Sequence, residues 1–514
     1  MKKKIFLCAI TVGVLFLTAC GSSLSFEETN NKNTTTERGN SKDNEATADV
    51  DNAIGADGQY TWQELTITLP EDWENNYVIV DNERGFSIYQ KASYEEREES
   101  GFICAYCRTT DFMDYGMGEN LIAYTDSGML YYLMQPLDVD CATNEEEMMR
   151  EYSSMCEKVG EINASLQIAG SGVHFDAEEY VVPISSIYVL DEGMIEYLSG
   201  NDLWIAKNEI YARHGRQFNN EYLQQYFNRC SWYDGTIAAE QFEESTLSQL
   251  EKDNVKFLEA AKEEYDRQHP YPKKYIISET ATEDLSGDGT ANQIKYQVTE
   301  QENGAYQCVL TIDDETYILN EIVYMIYPIA DAFYITDISE DDNLLEIAVL
   351  DDGPSNDPVT NFFQYDGTLT YIGQVSGFPF ADQSNGINGF NGIGGVTGRV
   401  RIDLIETAYL SGYWRYDSES KLLIYQDMGW NEFLPTYGHT LYEDLIVHYE
   451  MNEASGTTII PAQEEVYFLG SDSAEWILVR GKDGSKGYIQ VVDGMVMELN
   501  KPADQVFSDL YFFD

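Results

Sequence analysis

The residues best suited to chemistry lie together between Lys207 and His214. On a helix, Glu209 and Arg213 are four residues apart, so their charges can pair on one face. Lys207, Tyr211 and His214 share a second face, where a histidine beside a tyrosine and a lysine could carry out acid–base chemistry. The alternatives are a ligand site and a buried polar clasp. We favour the clasp, because a domain of about 80 residues buries little apolar area and depends on such contacts.

Three helices would position these residues. Ser199 or Asn201 can cap the first helix, since both side chains accept a hydrogen bond from a free N–H of the first turn. Gly215 stands where it can end that helix in a left-handed conformation. A second short helix is predicted from Asn220, and a longer third helix over residues 245–266.

The motif at the end of the first helix reads Tyr-Ala-Arg-His-Gly, and Phe218 follows it. This run resembles the YARHG domain, an extracellular bacterial module whose biochemical role is not established. The resemblance covers residues 183–268 and implies a small all-α domain on an exported protein. The motif residues are Tyr211, Ala212, Arg213, His214 and Gly215, with Lys207, Asn208, Glu209 and Trp232 as candidate partners.

A second candidate site is the acidic loop at residues 284–292. Ca²⁺ prefers oxygen ligands at alternating loop positions, with a glycine such as Gly289 at the sharp turn. The loop resembles the calcium loops of secreted β-repeat proteins, but Lys295 stands where an EF-hand has a bidentate glutamate. We therefore expect no required cofactor and at most weak calcium binding, and an acidic turn without metal is the alternative. The candidate ligands are Asp284, Ser286, Asp288, the Thr290 carbonyl and Asn292.

The same acidic pattern returns at Asp337, which aligns Ile347 with Ile294. The second copy lacks the glycine. Self-similarity at a fixed spacing indicates a repeat architecture, and alternating apolar residues on both sides predict strands. The sequence therefore predicts a β-rich repeat region.

The N-terminus has the pattern of an export signal: lysines at residues 2–4, an apolar run over residues 5–17, and a small-residue cleavage site. The run is shorter than the roughly 20 residues that a membrane-spanning helix needs. Residues 17–20 read Leu-Thr-Ala-Cys and resemble the bacterial lipobox. The resemblance implies cleavage after Ala19 and attachment of a diacylglyceryl group, with fatty acids such as palmitate, to the Cys20 sulfur. An ordinary signal peptide with an incidental cysteine is the alternative.

The chain of 514 residues has a formal net charge of −59, from 90 acidic and 31 basic residues. A polyanion would be repelled, so we expect no nucleic-acid partner. Anionic lipid headgroups would also be repelled, which leaves the attached lipid as the contact with the membrane. Solubility is the simplest consequence of so many carboxylates.

The cysteines beyond the signal are too widely spread for a disulfide scaffold. Cys104 and Cys107 form a lone Cys-x-x-Cys with no nearby histidine to complete a zinc site. Buried free thiols are predicted for the six residues Cys104, Cys107, Cys141, Cys156, Cys230 and Cys308.

The last part of the chain has a hairpin pattern. Apolar residues around Trp476 lead through Asp483-Gly484 to Tyr488, and Asp-Gly between two alternating runs indicates a hairpin turn. The segment resembles a bacterial Src-homology-3-like barrel, a module that binds wall peptides in other envelope proteins. The resemblance implies a small barrel-like end to the chain.

These patterns predict a multi-domain protein. An α+β N-terminal domain is followed by the small all-α YARHG domain and a β-rich C-terminal region. The predicted parts are a signal peptide (1–19), a disordered tether (20–58), an α+β domain (59–175), the YARHG domain (183–268), a β-rich repeat domain (271–439) and a Src-homology-3-like β domain (440–514).

The sequence contains none of the motifs of nucleophile elbows, zinc proteases, phosphate loops or dinucleotide loops. We therefore expect a binding protein rather than an enzyme, with no catalytic residue identified. The predicted function is a lipid-anchored protein on the extracytoplasmic face of the cell membrane that binds or senses cell-envelope, glycan or protein ligands. The alternative is a cell-wall or glycan hydrolase that uses carboxylates in the β-rich region, since glycosidases carry few sequence marks. An inert structural spacer is a third interpretation.

Overall fold

The structure is a computed structural model. It describes residues 58–512 apart from positions 74–75, 111–118, 126, 143–144, 171, 175–178, 278, 326, 330, 341, 354–356 and 381–387. The predicted signal peptide, the lipidation site Cys20 and the predicted tether up to residue 57 lie outside the described residues. Within the described part, no helix combines the length and the apolar character needed to cross a membrane.

The chain is multi-domain: a helical region occupies residues 200–268, and the β-rich remainder is arranged in open sheets. The described residues of the first part of the chain, from 58 to 174, form nine strands and three α-helices. They are β1 (Gln59–Trp62), β2 (Leu65–Thr68), β3 (Tyr77–Asp81), β4 (Gly85–Gln90), α1 (Lys91–Glu96), β5 (Phe102–Thr109), β6 (Glu119–Thr125), β7 (Leu130–Met134), α2 (Glu146–Glu157), α3 (Val159–Ala164), β8 (Gln167–Ile168) and β9 (Gly172–His174).

These strands form a three-stranded sheet in the order β1-β2-β8 and a six-stranded sheet in the order β3-β4-β5-β7-β6-β9. In β2 the apolar residues Leu65 and Ile67 are buried, while the threonines between them are partly exposed. This alternation is what a half-buried strand requires. The chain leaves the helical conformation at Lys158, between α2 and α3, and the ammonium group of this lysine binds the Asp72 carboxylate.

The helical region contains α4 (Gly200–Arg213), α5 (Glu221–Asn228) and α6 (Gln249–Gln268). The Ser199 hydroxyl accepts the N–H of Asp202, whose carboxylate accepts the Ser199 N–H, so a capping box opens α4. A second capping box, formed by Ser248 and Glu251, opens α6. This box explains why α6 starts later than the residue 245 predicted from apolar spacing alone.

The helices do not stand apart from the first part of the chain. Leu121 and Tyr132, on the six-stranded sheet, are fully buried in the same apolar cluster as Leu203 and Ile210 of α4 and Leu258 of α6. The other face of that sheet packs on α2 and α3 in a separate cluster. The six-stranded sheet is therefore covered on both faces.

The strands after α6 form three further sheets before the last one. They are β10 (Lys273–Ile276), β11 (Ala281–Glu283), β12 (Asn292–Glu300), β13 (Tyr306–Ile312), β14 (Glu315–Ile318), β15 (Ala332–Thr336), β16 (Glu346–Asp351), β17 (Val359–Tyr365), β18 (Leu369–Ser376), β19 (Gly395–Ile402), β20 (Ala408–Asp417) and β21 (Leu422–Gln426). Their orders are β11-β12-β13-β14, β10-β15-β16-β17-β18 and β19-β20-β21.

The two aligned acidic segments lie side by side. The Leu345 N–H donates to the Leu285 carbonyl at 3.1 Å, and a Cβ added to Gly287 would approach the Asn343 carbonyl oxygen at 2.5 Å. The aligned Ile294 of β12 and Ile347 of β16 are both fully buried in one cluster. The internal similarity thus places two sheets around a shared core.

The final sheet has nine short strands. They are β22 (Asn431–Glu432), β23 (His439–Thr440), β24 (Leu445–His448), β25 (Thr457–Ile460), β26 (Glu465–Ser471), β27 (Trp476–Gly481), β28 (Lys486–Val492), β29 (Met495–Val496) and β30 (Lys501–Pro502). Its main path is β22-β26-β27-β28-β24-β25. The hairpin predicted at Asp483-Gly484 is confirmed: it joins β27 to β28, and Gly484 has the positive φ of 88° that this turn requires.

Candidate functional site

The Tyr-Ala-Arg-His-Gly motif forms the last turn of α4 and the residue that ends it. Ala212 is buried against the helical core, and Gly215 has a φ of +75°. A side chain at Gly215 would meet the Asp234 carbonyl oxygen at 2.9 Å. Only glycine avoids both the strain and the contact, so the motif ends where the sequence predicts.

The pair of Glu209 and Arg213 predicted from helical spacing is confirmed; Glu209 is fully buried, and the Arg213 side chain is mostly buried. The Arg213 guanidinium also donates to the Val182 carbonyl at 2.9 Å and to the hydroxyl groups of Ser185 and Ser186 at 3.0 and 3.1 Å. It lies over the ring of Tyr180 at 5.1 Å. One arginine therefore fastens the segment before α4 to the end of that helix.

The Glu209 carboxylate receives the N–H groups of Val181 at 2.6 Å and Val182 at 3.4 Å in addition to Arg213. Burial raises the pKa of Glu209, and the Arg213 charge and the two N–H groups oppose this effect. A carboxylate at this depth requires its partners, because an unpaired buried charge is costly.

His214 binds a partner that the sequence did not identify. Its Nε2 lies 2.8 Å from Oε1 of Glu251, the residue whose other oxygen closes the capping box of α6. Burial acts to raise the pKa of Glu251, but the hydrogen bonds from His214 and the Ser248 N–H hold it below its usual range. His214 thus joins the end of α4 to the start of α6. The spacing Ser248-x-x-Glu251 is a capping-box signature that was available in the sequence.

The other residues of the predicted face bind separate partners. Lys207 contacts Glu259 at 3.3 Å, and the Tyr211 hydroxyl donates to Glu244 at 3.1 Å. Since His214 binds a third glutamate, these three side chains do not converge on one ligand position. Asn208 donates to the carbonyl of Trp204 within its own helix. The contacts match the buried polar clasp rather than a catalytic group.

Trp232, a candidate partner of the motif, donates its indole N–H to the Glu179 carbonyl at 3.2 Å and stacks on Tyr180 with 4.8 Å between ring centroids. The Glu179 carboxylate accepts the Ser231 N–H at 2.7 Å and binds Arg480 of β27 at 2.7 Å. The sequence did not predict this junction between the helical region and the final sheet.

Lys482 strengthens the same junction. Its ammonium group donates to the carbonyl groups of Asn228 and Cys230 at 2.8 and 2.7 Å, and burial lowers its pKa. Two cations of the final sheet therefore bind carbonyl oxygens at and after the end of α5, and one of them, Arg480, also binds the Glu179 carboxylate.

The predicted calcium loop is closed by its own backbone. Asp284 accepts the N–H groups of Asp288 and Gly289 at 3.2 and 2.7 Å, and Asp288 accepts the N–H of Thr290 at 2.7 Å. Asn292 accepts the Leu285 N–H and donates to Asp313, and Ser286 is half-buried beside them. In the part of the chain that the structure describes, no three His, Cys, Asp or Glu side chains are grouped to hold a metal ion. Calcium binding here stays a prediction.

The six cysteines of the described chain are all free thiols. Cys104, Cys230 and Cys308 are buried, and the other three are partly buried. Burial raises the pKa of Cys104, Cys230 and Cys308. A buried thiol with a raised pKa is a poor nucleophile, because the thiolate is the reactive form.

A cavity of about 590 Å³ opens beside the final sheet. The loop after β19, the turn between β28 and β29, and the segment at Pro502 surround it. Its apolar lining includes Leu404, Ile405, Val491, Val492, Ala503 and Phe512, and its acidic lining consists of Asp403, Glu475, Asp493 and Asp504. Hereafter this cavity is called the acidic groove.

A second cavity, of about 250 Å³, lies where α6 ends and the β-rich region begins. It is lined by Tyr265, Gln268, His269, Pro270, Tyr271, Asp337, Glu340, Asn388, Phe390 and Gly392. Hereafter it is called the junction cavity. Burial, followed by the charges of Glu340 and Asp342, raises the pKa of Asp337 to about 6. The nearby Glu346 is almost fully buried, which raises its pKa to about 8.

The motif therefore lies in a small helical domain. A buried Arg–Glu pair and a His–Glu pair hold this domain together. A sequence model of the YARHG domain matches residues 180–263, so the chain contains a YARHG domain there. This confirms the family predicted from the motif, and the match starts early enough to include Tyr180, which contacts Arg213. No curated protein and no solved structure gives a significant match to the chain.

Proposed function

We propose that the chain is a lipid-anchored extracytoplasmic binding protein that holds an amine-bearing peptide of the cell envelope in the acidic groove. The observation that carries this proposal is the lining of the groove, which combines an apolar surface with four acidic side chains. Binding sites of this kind use apolar area for affinity and a few polar groups for specificity. Acidic groups select a cationic ligand through charge complementarity.

Three of the four acidic residues are available to a ligand. Among the described residues, the carboxylates of Glu475, Asp493 and Asp504 have no hydrogen-bond or ion-pair partner. Asp403 differs, because it binds Arg401 at 3.1 Å and accepts the Thr407 hydroxyl at 2.6 Å. Uncompensated carboxylates beside an apolar surface favour a ligand that presents ammonium groups next to short apolar side chains.

The other parts of the proposal rest on the sequence. The export signal and the lipobox resemblance support a lipid anchor at Cys20 on the extracytoplasmic face. The resemblance of residues 440–514 to a Src-homology-3-like barrel supports a wall-peptide ligand, because that module binds such peptides in other envelope proteins. The YARHG domain, clamped to its neighbours by Arg213 and Glu179, serves here as a spacer with a fixed geometry.

A titration of the full chain with a soluble cell-wall stem peptide tests the groove. We expect saturable binding that weakens when the amino groups of the peptide are acetylated, since acetylation removes the charge. The variants Asp493→Asn and Asp504→Asn should weaken binding, whereas Asp366→Asn, at an exposed turn elsewhere, should not. Equal affinity for the free and acetylated peptides would contradict the proposal.

The anchor has its own test. Mass spectrometry of the mature protein should find a diacylglyceryl group on Cys20, and Cys20→Ser should release the protein from the membrane fraction. An unmodified Cys20 in the membrane fraction would contradict the anchor while leaving the groove proposal intact.

A second candidate function is a glycan hydrolase. It is favoured by the raised pKa of Asp337, a carboxyl group that can hold a proton near neutral pH beside Glu340 in a cavity. General acid catalysis needs such a group. Release of reducing ends from peptidoglycan by the full chain, lost in Asp337→Asn, would favour this function over binding alone.

A further inference from the structure

We propose that the junction cavity binds a single sugar ring. This goes beyond the proposed peptide binding, because the cavity lies at the end of α6 and none of its lining residues belongs to the acidic groove. It differs from the second candidate function in requiring no turnover of the sugar. Sugar binding in the junction cavity and peptide binding in the acidic groove can therefore be tested independently.

Aromatic side chains make up much of the cavity lining. Tyr265, Tyr271 and Phe390 line it, and the ring of His269 lies over Tyr265 with 4.2 Å between centroids. The C–H faces of a sugar ring are apolar and pack on aromatic rings, while its hydroxyl groups point outward from the ring edge. Aromatic walls beside polar side chains match this distribution.

The polar side chains supply acceptors for hydroxyl groups. The Oδ1 atom of Asp337 is buried and has no hydrogen-bond partner among the described residues. A buried acceptor without a donor is destabilising, and a ligand hydroxyl would satisfy it. His269, which also lines the cavity, contacts Oε1 of Glu340 through Nδ1 at 2.5 Å, so its Nε2 is a further polar atom of the lining.

The size and the polarity of the cavity limit the ligand. Its volume of about 250 Å³ is slightly below the roughly 300–1,000 Å³ of pockets for drug-sized ligands, which suits one ring rather than an oligomer. Asp337, Glu340 and Asp342 repel anions. Burial is the largest cause of the raised pKa of Asp337, and a neutral hydroxyl donor loses less hydration on entering such a buried position than a charged ligand does.

The test is a titration of the full chain with glucose, galactose and N-acetylglucosamine, followed by saturation-transfer NMR. We expect saturable binding of at least one sugar, weakened about tenfold or more by Asp337→Asn, since the bond lost is charge-assisted. Phe390→Leu, which removes aromatic area but no charge, should also weaken binding. Asp366→Asn is the matched control and should leave affinity unchanged.

Three outcomes would overturn the proposal. They are the absence of saturable binding for all three sugars, affinity that is unchanged in both Asp337→Asn and Phe390→Leu, and competition by ethylammonium but not by sugars. Thermal unfolding of each variant identifies a misfolded protein, and Phe390→Leu keeps the test valid if Asp337→Asn does not fold. Binding of the stem peptide to the acidic groove is measured on the same variants and should not change.

Discussion

Glu179 and Arg480 form a buried ion pair, with 2.7 Å between Oε1 and Nη1, that joins the segment before α4 to strand β27. The two residues are far apart in the sequence, and neither belongs to a recognisable motif. The same Glu179 carboxylate also accepts the N–H and the hydroxyl of Ser231. The YARHG domain is therefore held on one side by its own clasp and on the other by the final sheet.

Removing one partner of this pair should destabilise the chain strongly. Arg480→Ala leaves the Glu179 carboxylate buried and unpaired, so we expect the free energy of unfolding to fall by about 3–5 kcal/mol. The measurement is chemical denaturation followed by circular dichroism. Lys262→Ala, which breaks the exposed pair with Asp266 in α6, is the control and should cost less than about 1 kcal/mol. If both variants lose a similar free energy of unfolding, the buried pair contributes no more to stability than the exposed pair.

The clasp of the YARHG motif predicts a second stability effect. Arg213→Ala strands the fully buried Glu209 and removes three further hydrogen bonds, so a loss of about 3–5 kcal/mol is expected. The double variant Arg213→Met/Glu209→Leu should recover part of that loss, because it leaves no unpaired charge. If the denaturation midpoint of Arg213→Ala equals that of the native chain, the motif does not act as a clasp.

The buried pair of His439 and Glu406 predicts a dependence on pH. Nε2 of His439 lies 3.2 Å from Glu406, and Nδ1 lies 2.9 Å from the Ser508 carbonyl. Burial acts to lower the pKa of His439, but the Glu406 hydrogen bond and charge, the Ser508 carbonyl and the charge of Asp509 together raise it above the ordinary 6.5. A raised pKa in the folded state means that the pair stabilises the fold fully below the unfolded-state pKa. This contribution is lost as the pH rises through the folded-state pKa.

The check is the free energy of unfolding of the native chain and of His439→Gln, measured from pH 5 to pH 9. The difference between the two should be largest at low pH and should shrink as the pH rises. His269→Gln, which removes a half-exposed histidine, serves as the control. A difference that grows with pH would mean that His439 is neutral in the folded chain throughout this range.

Sugar binding in the junction cavity should weaken in acid. Asp337 accepts a hydroxyl best when it is ionised, and its pKa of about 6 in the free protein means that the ligand competes with a proton below that pH. Glu340, Asp342 and Glu346 face Asp337 and act against its ionisation, while His269 favours it. Affinity should therefore be constant above about pH 7 and fall below pH 6. Asp337→Asn should lack this dependence, and the same acid loss in that variant would assign it to another group.

The sequence predicted contacts that depend on neighbouring positions of one helix. The spacing of Glu209 and Arg213 gave their ion pair, and Gly215 ended α4 as its position indicated. The sequence did not predict the partner of His214. Glu251 lies in the first turn of a different helix and contacts His214 only because the two helices pack together.

Contacts between residues of different domains could not be predicted from the sequence either. Nothing near Glu179 in the sequence points to Arg480, since their meeting depends on how the final sheet packs against the helical region. Asp337 stood out only as a degenerate copy of the acidic loop. Its cavity exists because the end of α6 lies against the β-rich region, which is a consequence of tertiary structure.

The most direct test of the proposed function is the affinity of the full chain for an amine-bearing stem peptide, compared between the native protein and Asp493→Asn/Asp504→Asn. The two lining carboxylates should together contribute up to about 2 kcal/mol, roughly thirtyfold in affinity, since each ion pair near a surface is worth up to about 1 kcal/mol. We expect saturable binding that weakens by up to this factor in the double variant and that also weakens on acetylation of the peptide. Binding that is equally tight in all these cases, or no binding by a folded native chain, would contradict it.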